Sequence, residues 1–235
     1  CIASMDFSTK LRKRCALALG MPAANVLINF NHTHSATIPP DYMPYDTPEQ
    51  LTMQAQHGED MTSKLEQACR EAVAKLQPVR LAAGWGECHG NINRRQKMPD
   101  GTVLLGEDPN GPCDHSVGVL RVDKLDGAPL AIAFRYSCHT VTLGPKTNRI
   151  SPDYAGAART VIERTLGCPS LFLQGCAGNV NPATGIGQDP DNSPLVREDK
   201  NRLGQMLGGE VLKVCSTLRT QRRRKEPKLV QSVAV

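Results

Sequence analysis

Apolar residues recur three and four positions apart along four segments of the chain, the spacing that places side chains on one face of an α-helix. This pattern predicts helices over residues 8–19, 49–76, 151–166 and 196–218. Ser8 is placed to cap the first of them, because a serine hydroxyl accepts a hydrogen bond from the free N–H groups of a first turn.

Shorter apolar runs bounded by turn residues are typical of β-strands. The predicted strands cover residues 25–30, 79–85, 117–122, 130–136 and 170–173. Asp126 and Gly127 lie between the third and fourth, and an Asp-Gly pair favours a tight hairpin. Residues 91–113 are rich in Gly, Pro, Asn and Asp and are predicted to be a loop.

Strands alternate with helices and one hairpin is inserted, which predicts an α/β fold with a mixed sheet flanked by helices. In such sheets, binding sites form where strands end. Polar clusters follow three of the predicted strands, at residues 32–35, 139–142 and 174–181. The active site is therefore expected at these strand ends.

The composition excludes several classes of protein. Aromatic residues make up 4% of the chain, so we expect no nucleic-acid partner held by stacked rings. No apolar run reaches the roughly 18 residues of a membrane span. The nine cysteines include no C-x-x-C pair, the spacing of zinc knuckles and redox motifs.

Both ends of the chain are predicted to interrupt a secondary-structure element. Residues 1–5 resemble the end of a strand, and apolar and polar residues alternate over 229–235 as they do in a strand. The net charge of +5 is concentrated in residues 219–228. Such a basic segment is either a solvated helix end or a contact for an anionic membrane surface. We expect a catalytic domain over residues 1–218, incomplete at both ends, then a basic segment and the start of a further strand over 219–235.

Three of the six histidines follow predicted strands. His32 and His34 alternate, so in an extended segment both imidazoles lie on the same side, and His139 follows a later strand. Imidazole is the commonest zinc ligand, and a catalytic zinc usually takes three protein ligands and a water. A His-x-His pair alone also arises by chance, but the third strand-end histidine favours a metal site. The other three histidines are interpreted as surface residues.

Residues 91–95 read Asn-Ile-Asn-Arg-Arg and have two interpretations. They form either a solvated turn or part of a site in which Arg94 or Arg95 holds a carbonyl or oxyanion and Asn93 orients the substrate. Residues 174–182 form a small-residue turn that matches neither a dinucleotide site nor a P-loop. Cys176 in that turn is predicted to be a packing residue, because no neighbouring base or cation would activate its thiol.

Five sequence blocks occur together in one order. They are residues 31–35 (Asn-His-Thr-His-Ser), 93–94 (Asn-Arg), 137–139 (Ser-Cys-His), 151–156 (Ser-Pro-Asp-Tyr-Ala-Gly) and 172–182 (Phe-Leu-Gln-Gly-Cys-Ala-Gly-Asn-Val-Asn-Pro). With these blocks the chain resembles the N-terminal catalytic domain of the neutral/alkaline non-lysosomal ceramidase family. The likeness extends over nearly the whole chain.

The resemblance implies a zinc-dependent amidase that hydrolyses the N-acyl bond of a lipid-like small molecule such as ceramide. It implies that His32 and His139 are zinc ligands, that His34 contacts the substrate beside the metal, and that Arg94 is a polar contact in the active site. It also implies secretion or membrane association. The sequence does not set an oligomeric state.

Two departures from the family pattern identify a divergent relative. The family completes its zinc site with a Glu and a Tyr from further along the chain, so the remaining ligands are expected outside residues 1–235. It also carries Gly-Asp-x-Ser-Pro, with an essential Ser, where residues 178–182 read Gly-Asn-Val-Asn-Pro. Asn181 can hydrogen-bond a substrate but supplies no hydroxyl, and Asn179 replaces a charge.

Two functions therefore stay open at the level of the sequence. One is hydrolysis of an N-acyl or ester compound by metal-activated water. The other is a non-catalytic relative that keeps the fold and binds a lipid or a protein partner, which the two asparagines favour.

Overall fold

The computed structural model describes residues 3–37, 39, 47–144, 147, 149–185 and 194–220, with only the backbone of residues 194–197. The helices are α1 (Met5–Leu19), a short 3-10 helix (Ala23–Asn25), α2 (Pro48–Ala74), α3 (Asp153–Leu166) and α4 (Pro194–Thr217). The strands are β1 (Val79–Glu87), β2 (Asn91–Lys97), β3 (Val103–Asp108), β4 (Ser116–Lys124), β5 (Pro129–Tyr136), β6 (Ser170–Gln174) and β7 (Val180–Pro182). These elements form two compact units.

The first unit, here the helical unit, comprises residues 3–30 and 37–78 within the described ranges. Its α1 begins after Ser4, whose hydroxyl accepts a hydrogen bond from the backbone N–H of Phe7 at 3.1 Å. Ser8 lies one turn inside the helix and its hydroxyl donates to the carbonyl oxygen of Met5. The prediction that Ser8 caps the helix is therefore wrong, because the polar segment before it already supplies a serine cap.

The helical unit has a small core of its own, made by Phe7, Leu11, Cys15, Ala16 and Val26. Arg14 of α1 pairs with the carboxylates of Glu59 and Glu66 of α2 at 2.7 and 2.5 Å. The strand predicted over residues 25–30 is not formed, since Asn25 ends the 3-10 helix and residues 26–30 join no sheet.

The second unit, here the sheet unit, comprises residues 31–36 and the described residues from 79 to 220. Its main sheet has the strand order β1-β4-β5-β6, with β5 and β6 parallel and the other pairs antiparallel. Helix α3 lies in the connection between the parallel strands β5 and β6, as such pairs require. The α/β fold with a mixed sheet is thereby confirmed.

Helices α3 and α4 pack together and share a core with the main sheet. The core includes buried strand residues Phe134 and Tyr136 and buried helix residues Ile162 and Leu207. Gly204 lets the two helices approach closely, because a Cβ at this position would lie 2.9 Å from the backbone nitrogen of Ala158. Two polar clusters at the ends of β5 and β6 are held in place by this packing.

A second sheet with the order β3-β2-β7 corrects the prediction of a loop over residues 91–113. The alternation of polar and apolar side chains that signals a strand is missing from β2, whose sequence is Asn-Ile-Asn-Arg-Arg-Gln-Lys. The last three residues of β2 are exposed. The strand is therefore held by backbone hydrogen bonds to β3 and β7, and it has no continuous apolar face. The same ladder includes Asn181 and Pro182 of the predicted small-residue turn.

Among the helices that the structure describes, none is sufficiently long and apolar to cross a membrane. The basic segment and further strand predicted over residues 219–235 lie outside the described residues except for Arg219 and Thr220. The domain boundary at residue 218 stays a prediction.

Candidate active site

Three imidazoles lie together in the sheet unit. The side chains of His32, His34 and His139 each offer one ring nitrogen, and these three atoms all lie within 4.8 Å of one another. The Nε2 atoms of His32 and His34 are 3.3 Å apart, and the ring centres of His32 and His139 are 4.6 Å apart. The structure therefore brings together the three histidines that follow predicted strands.

Backbone hydrogen bonds hold the segment that carries His32 and His34. The N–H of His34 donates to the carbonyl oxygen of Thr140 at 3.0 Å, next to His139. The Thr140 hydroxyl donates back to the carbonyl oxygen of Asn31 at 2.5 Å. Because these bonds join the two histidine-bearing segments directly, the rings are placed by the main chain.

His32 has a backbone φ of 54°, in the left-handed region that side chains with a Cβ rarely adopt. Strained backbone of this kind persists only where the surrounding structure fixes it, and it is common at functional sites. With this unusual φ, the imidazole of His32 lies against the imidazoles of His34 and His139.

His139 is oriented by two backbone carbonyl oxygens. Its Nδ1 lies 2.6 Å from the carbonyl oxygen of Ala177 and 3.1 Å from that of Val180. A carbonyl oxygen only accepts, so Nδ1 must carry a proton, and in the neutral ring Nε2 then keeps its lone pair. Ligand histidines are commonly held by such a hydrogen bond on the other ring nitrogen.

The peptide before His139 is anchored from three directions. The buried Tyr154 hydroxyl and the Gln174 amide both donate to the carbonyl oxygen of Cys138, at 2.8 and 2.9 Å. The Asn91 amide donates to the carbonyl oxygen of Ser137 at 2.7 Å. These contacts connect α3, β6 and β2 to the end of β5, so the peptide that carries His139 is fixed by three other elements.

The three imidazoles are held in their neutral form. Burial, with the neighbouring rings of His139 and His34, lowers the pKa of His32 to about 4. Desolvation within the cluster and the charge of Arg94 also lower the pKa of His34 and of His139, although the His34 side chain is exposed at one edge. At neutral pH all three rings therefore offer lone pairs.

Arg94 reaches the same site from β2. Its Nε donates to the carbonyl oxygen of Gly178 at 3.0 Å, and its Nη1 lies 3.5 Å from Oδ1 of Asn181. Arg94 and Asn181, together with His34 and His139, line a cavity of about 450 Å³. The structure thus joins four of the predicted site residues, Arg94, Asn181, His34 and His139, around one open space.

Asn93 lies elsewhere. Its amide donates to the carbonyl oxygen of Pro112 at 2.8 Å, and its Oδ1 accepts from the backbone N–H of Arg95. It lines a neighbouring polar cavity with Arg95 and does not line the histidine cavity. Its substrate-binding role stays a prediction.

Cys176 is exposed, so the prediction that it packs in the interior is wrong. The turn that carries it is tied down at its two ends, by the Gly175 N–H to the Tyr136 carbonyl oxygen and the Val180 N–H to the Ala177 carbonyl oxygen. Between these bonds Cys176, Gly178 and Asn179 are exposed, whereas Ala177 is buried.

Part of the cavity wall was not predicted from the sequence. Leu105, Gly106 and Glu107 of β3 line the same cavity as His34 and His139. The apolar run of residues 103–105 between two glycines was a strand signal, but the surrounding Pro, Asn and Asp residues obscured it.

The donor set fits a zinc ion. Three neutral ring nitrogens within reach of one another are the ligands that zinc takes in hydrolytic sites, and His139 has the outer hydrogen bond typical of such ligands. His32 and His139 are the more enclosed of the three, while His34 is open to the cavity. The cluster can therefore hold a metal with one side facing a substrate.

Comparison with known proteins gives partial matches to ceramidases. Neutral ceramidase B of Dictyostelium discoideum is 26% identical over 186 aligned positions, which cover 73% of this chain. A crystal structure of neutral ceramidase from Pseudomonas aeruginosa matches with 22% identity, a TM-score of 0.57 and 70% of this chain. A ceramidase complexed with C2 matches with 20% identity, a TM-score of 0.68 and 90% of this chain.

The chain spans only part of each relative. It covers 25% of the Dictyostelium protein and 27% and 34% of the two solved chains. No family model matches the sequence. The two structural matches agree with the α/β fold described above.

Proposed function

We propose that this chain, a divergent member of the neutral ceramidase family, supplies the histidine centre of a zinc-dependent hydrolase. This hydrolase acts on a linear N-acyl amide. The observation that carries the proposal is the cluster of three imidazole nitrogens within 4.8 Å of one another. The proposed substrate is a lipid-like small molecule of the ceramide type.

In this proposal His32 and His139 hold the metal, and further ligands come from the part of the relatives that this chain does not match. Bound zinc would lower the pKa of a water toward 7 and polarise the acyl carbonyl. The neutral state of both imidazoles supports this role, because a protonated ring cannot bind a cation.

His34 and Arg94 contact the substrate. The His34 ring is open to the cavity, and its Nε2 lies 3.3 Å from that of His32. It can therefore accept a proton from the attacking water or donate one to the leaving amine. The Arg94 guanidinium is fixed by Gly178 and Asn181 and holds a polar group of the substrate. Asn181 orients that group through its side-chain amide.

The second candidate is a non-catalytic relative that binds a lipid or protein. Asn179 and Asn181 favour it, because neither provides the carboxylate or the hydroxyl that the family pattern has at these positions. The two functions differ in whether the protein turns over an N-acyl substrate.

The test is a zinc titration of the wild type and of the His139→Ala and His89→Ala variants. Because the proposal places further ligands outside these residues, we expect modest affinity in the wild type and in His89→Ala, whose exposed ring lies outside the cluster, and affinity at least about tenfold weaker in His139→Ala. Equal zinc affinity in the wild type and in His139→Ala contradicts the proposal. Chelator-sensitive hydrolysis of an N-acyl amide then separates the enzyme from the non-catalytic relative.

A further inference from the structure

The guanidinium of Arg94 has neutral partners. Its Nε donates to the backbone carbonyl oxygen of Gly178, and its Nη1 lies at the long distance of 3.5 Å from the amide oxygen of Asn181. Within the described part of the chain, Nη2 has no hydrogen-bond partner. A guanidinium offers five N–H groups, so several of them are available to a ligand in the cavity.

A carboxylate would be the strongest partner for this group. Glu107 of β3 lines the same cavity, but it forms no ion pair with Arg94 in the part of the chain that the structure describes. Arg95, the next residue, lines the neighbouring cavity and is itself bonded to the neutral side chain of Asn179 at 2.8 Å. Among the described residues, the Arg94 guanidinium therefore has only neutral hydrogen-bond partners.

Most of the other residues that line the cavity are uncharged. His34 and His139 line it as neutral rings, which add no negative charge. Leu105, Val141 and Pro182 supply apolar surface in the same space. The cavity thus combines the Arg94 cation, which forms no ion pair among the described residues, with the carboxylate of Glu107 and with apolar walls. Its volume of about 450 Å³ lies in the range of small-molecule sites.

We propose that this site prefers N-acyl compounds whose amine part carries a carboxylate, such as N-acyl amino acids, and that Arg94 binds the carboxylate. A planar guanidinium and a carboxylate form two parallel charged hydrogen bonds, which a neutral sphingoid head group cannot match. The inference rests on the proposed function for the amide that is cleaved, and it replaces the ceramide-type amine part of that substrate by an amino acid. In the reaction, water supplies oxygen to the acyl carbon, the C–N bond breaks, and the amine leaves protonated as the free amino acid.

The probes are N-dodecanoylglycine and its methyl ester, which share the acyl chain and the amide and differ in one charge. Binding to the metal-free chain is measured by isothermal titration calorimetry, so that recognition is read without turnover. We expect N-dodecanoylglycine to bind at least about tenfold more tightly than the ester, the difference that a charged pair makes in a partly enclosed site. Dodecanoate is the third probe, because a free fatty acid also presents a carboxylate.

Two asparagine variants form a matched pair. Asn181→Asp places a carboxylate beside Arg94 and should remove the preference for N-dodecanoylglycine. Asn179→Asp makes the same chemical change beside Arg95, outside the histidine cavity, and should keep the preference. Circular dichroism melting of both variants controls for folding.

The outcomes separate this inference from the proposed function. Equal binding of acid and ester, no binding of either, or dodecanoate binding as tightly as N-dodecanoylglycine overturns the inference. Loss of the preference in both asparagine variants also overturns it, because the effect would then not depend on Arg94. A clear preference without zinc-dependent hydrolysis of N-dodecanoylglycine supports the binding role and contradicts the hydrolase.

Discussion

His139 and Ala177 are joined by a hydrogen bond of 2.6 Å, from the imidazole Nδ1 to the backbone carbonyl oxygen. The backbone N–H of His139 also donates to the carbonyl oxygen of Val180 at 3.0 Å. The ring and its main chain are therefore held by the same turn, residues 177–180. This turn is the part of the molecule that decides which nitrogen of His139 faces the cluster.

The peptide before His139 gives a prediction that separates stability from metal binding. Tyr154→Phe removes one of two donors to the Cys138 carbonyl oxygen, in a fully buried position. We expect the free energy of unfolding to fall by about 1–2 kcal/mol and zinc affinity to fall with it, because the His139 peptide loses a support. Urea unfolding and zinc titration measure the two quantities.

Tyr136→Phe is the matched control. Its buried hydroxyl donates to the carbonyl oxygen of Cys88 at 2.8 Å, away from the histidines. It should lose a similar amount of stability but keep the zinc affinity of the wild type. Equal losses of zinc affinity in both variants would show that the Tyr154 contact has no specific role.

The backbone of His32 provides a second prediction. His32→Gly and His32→Ala both remove the imidazole, but only glycine accepts a φ of 54° without strain. We expect His32→Gly to be more stable than His32→Ala by about 1 kcal/mol in urea unfolding. The same pair of substitutions at His34, whose φ is not positive, should not favour glycine. A more stable alanine variant at position 32 would contradict the assigned strain.

Asp114 predicts how stability depends on pH. Burial alone raises the pKa of its carboxyl, but hydrogen bonds from Ser116 and Arg135 outweigh burial and hold the pKa well below its usual range. A carboxyl whose pKa is lower in the folded state stabilises the protein above its unfolded pKa of about 4 and loses this contribution as pH falls. The free energy of unfolding should therefore decrease below about pH 4, and less steeply in Asp114→Asn. Equal slopes in urea titrations of the two proteins would refute this role.

Two glycines of α4 should respond to substitution with opposite signs. A Cβ at Gly204 would meet the backbone of α3, so Gly204→Ala should lower the free energy of unfolding by about 1–3 kcal/mol. A Cβ at Gly209 meets nothing within 4 Å, and Gly209→Ala should raise it by up to about 1 kcal/mol through helix propensity. Thermal unfolding of both variants measures the difference. A stabilising Gly204→Ala would mean that the helices can separate at no cost.

The elements that the sequence predicts well are those with a periodic apolar face. Helix α3 and strands β4 and β5 bury one face against a common core. The spacing of their apolar residues therefore indicates which face is buried. Strand β2 is different, because its ladder bonds use the backbone and its side chains are polar. Periodicity cannot detect such a strand.

The site was predictable to a similar extent. His32, His34 and His139 could be found because histidines at strand ends are few and chemically distinctive. The wall formed by Leu105 and Glu107 could not, since it depends on the undetected pairing of β2 with β3. The location of Asn93 in a different cavity also follows from that pairing, which turns neighbouring side chains of β2 to opposite sides.

The backbone bond between His34 and Thr140 joins segments that lie more than a hundred residues apart in the sequence. Closing so long a loop costs entropy that one contact does not repay, so this bond forms after the strands around it have assembled. In zinc fingers the ligands lie close together in sequence and the metal drives folding. Here a cation would enter a scaffold that is already built, and removing it should leave the secondary structure intact.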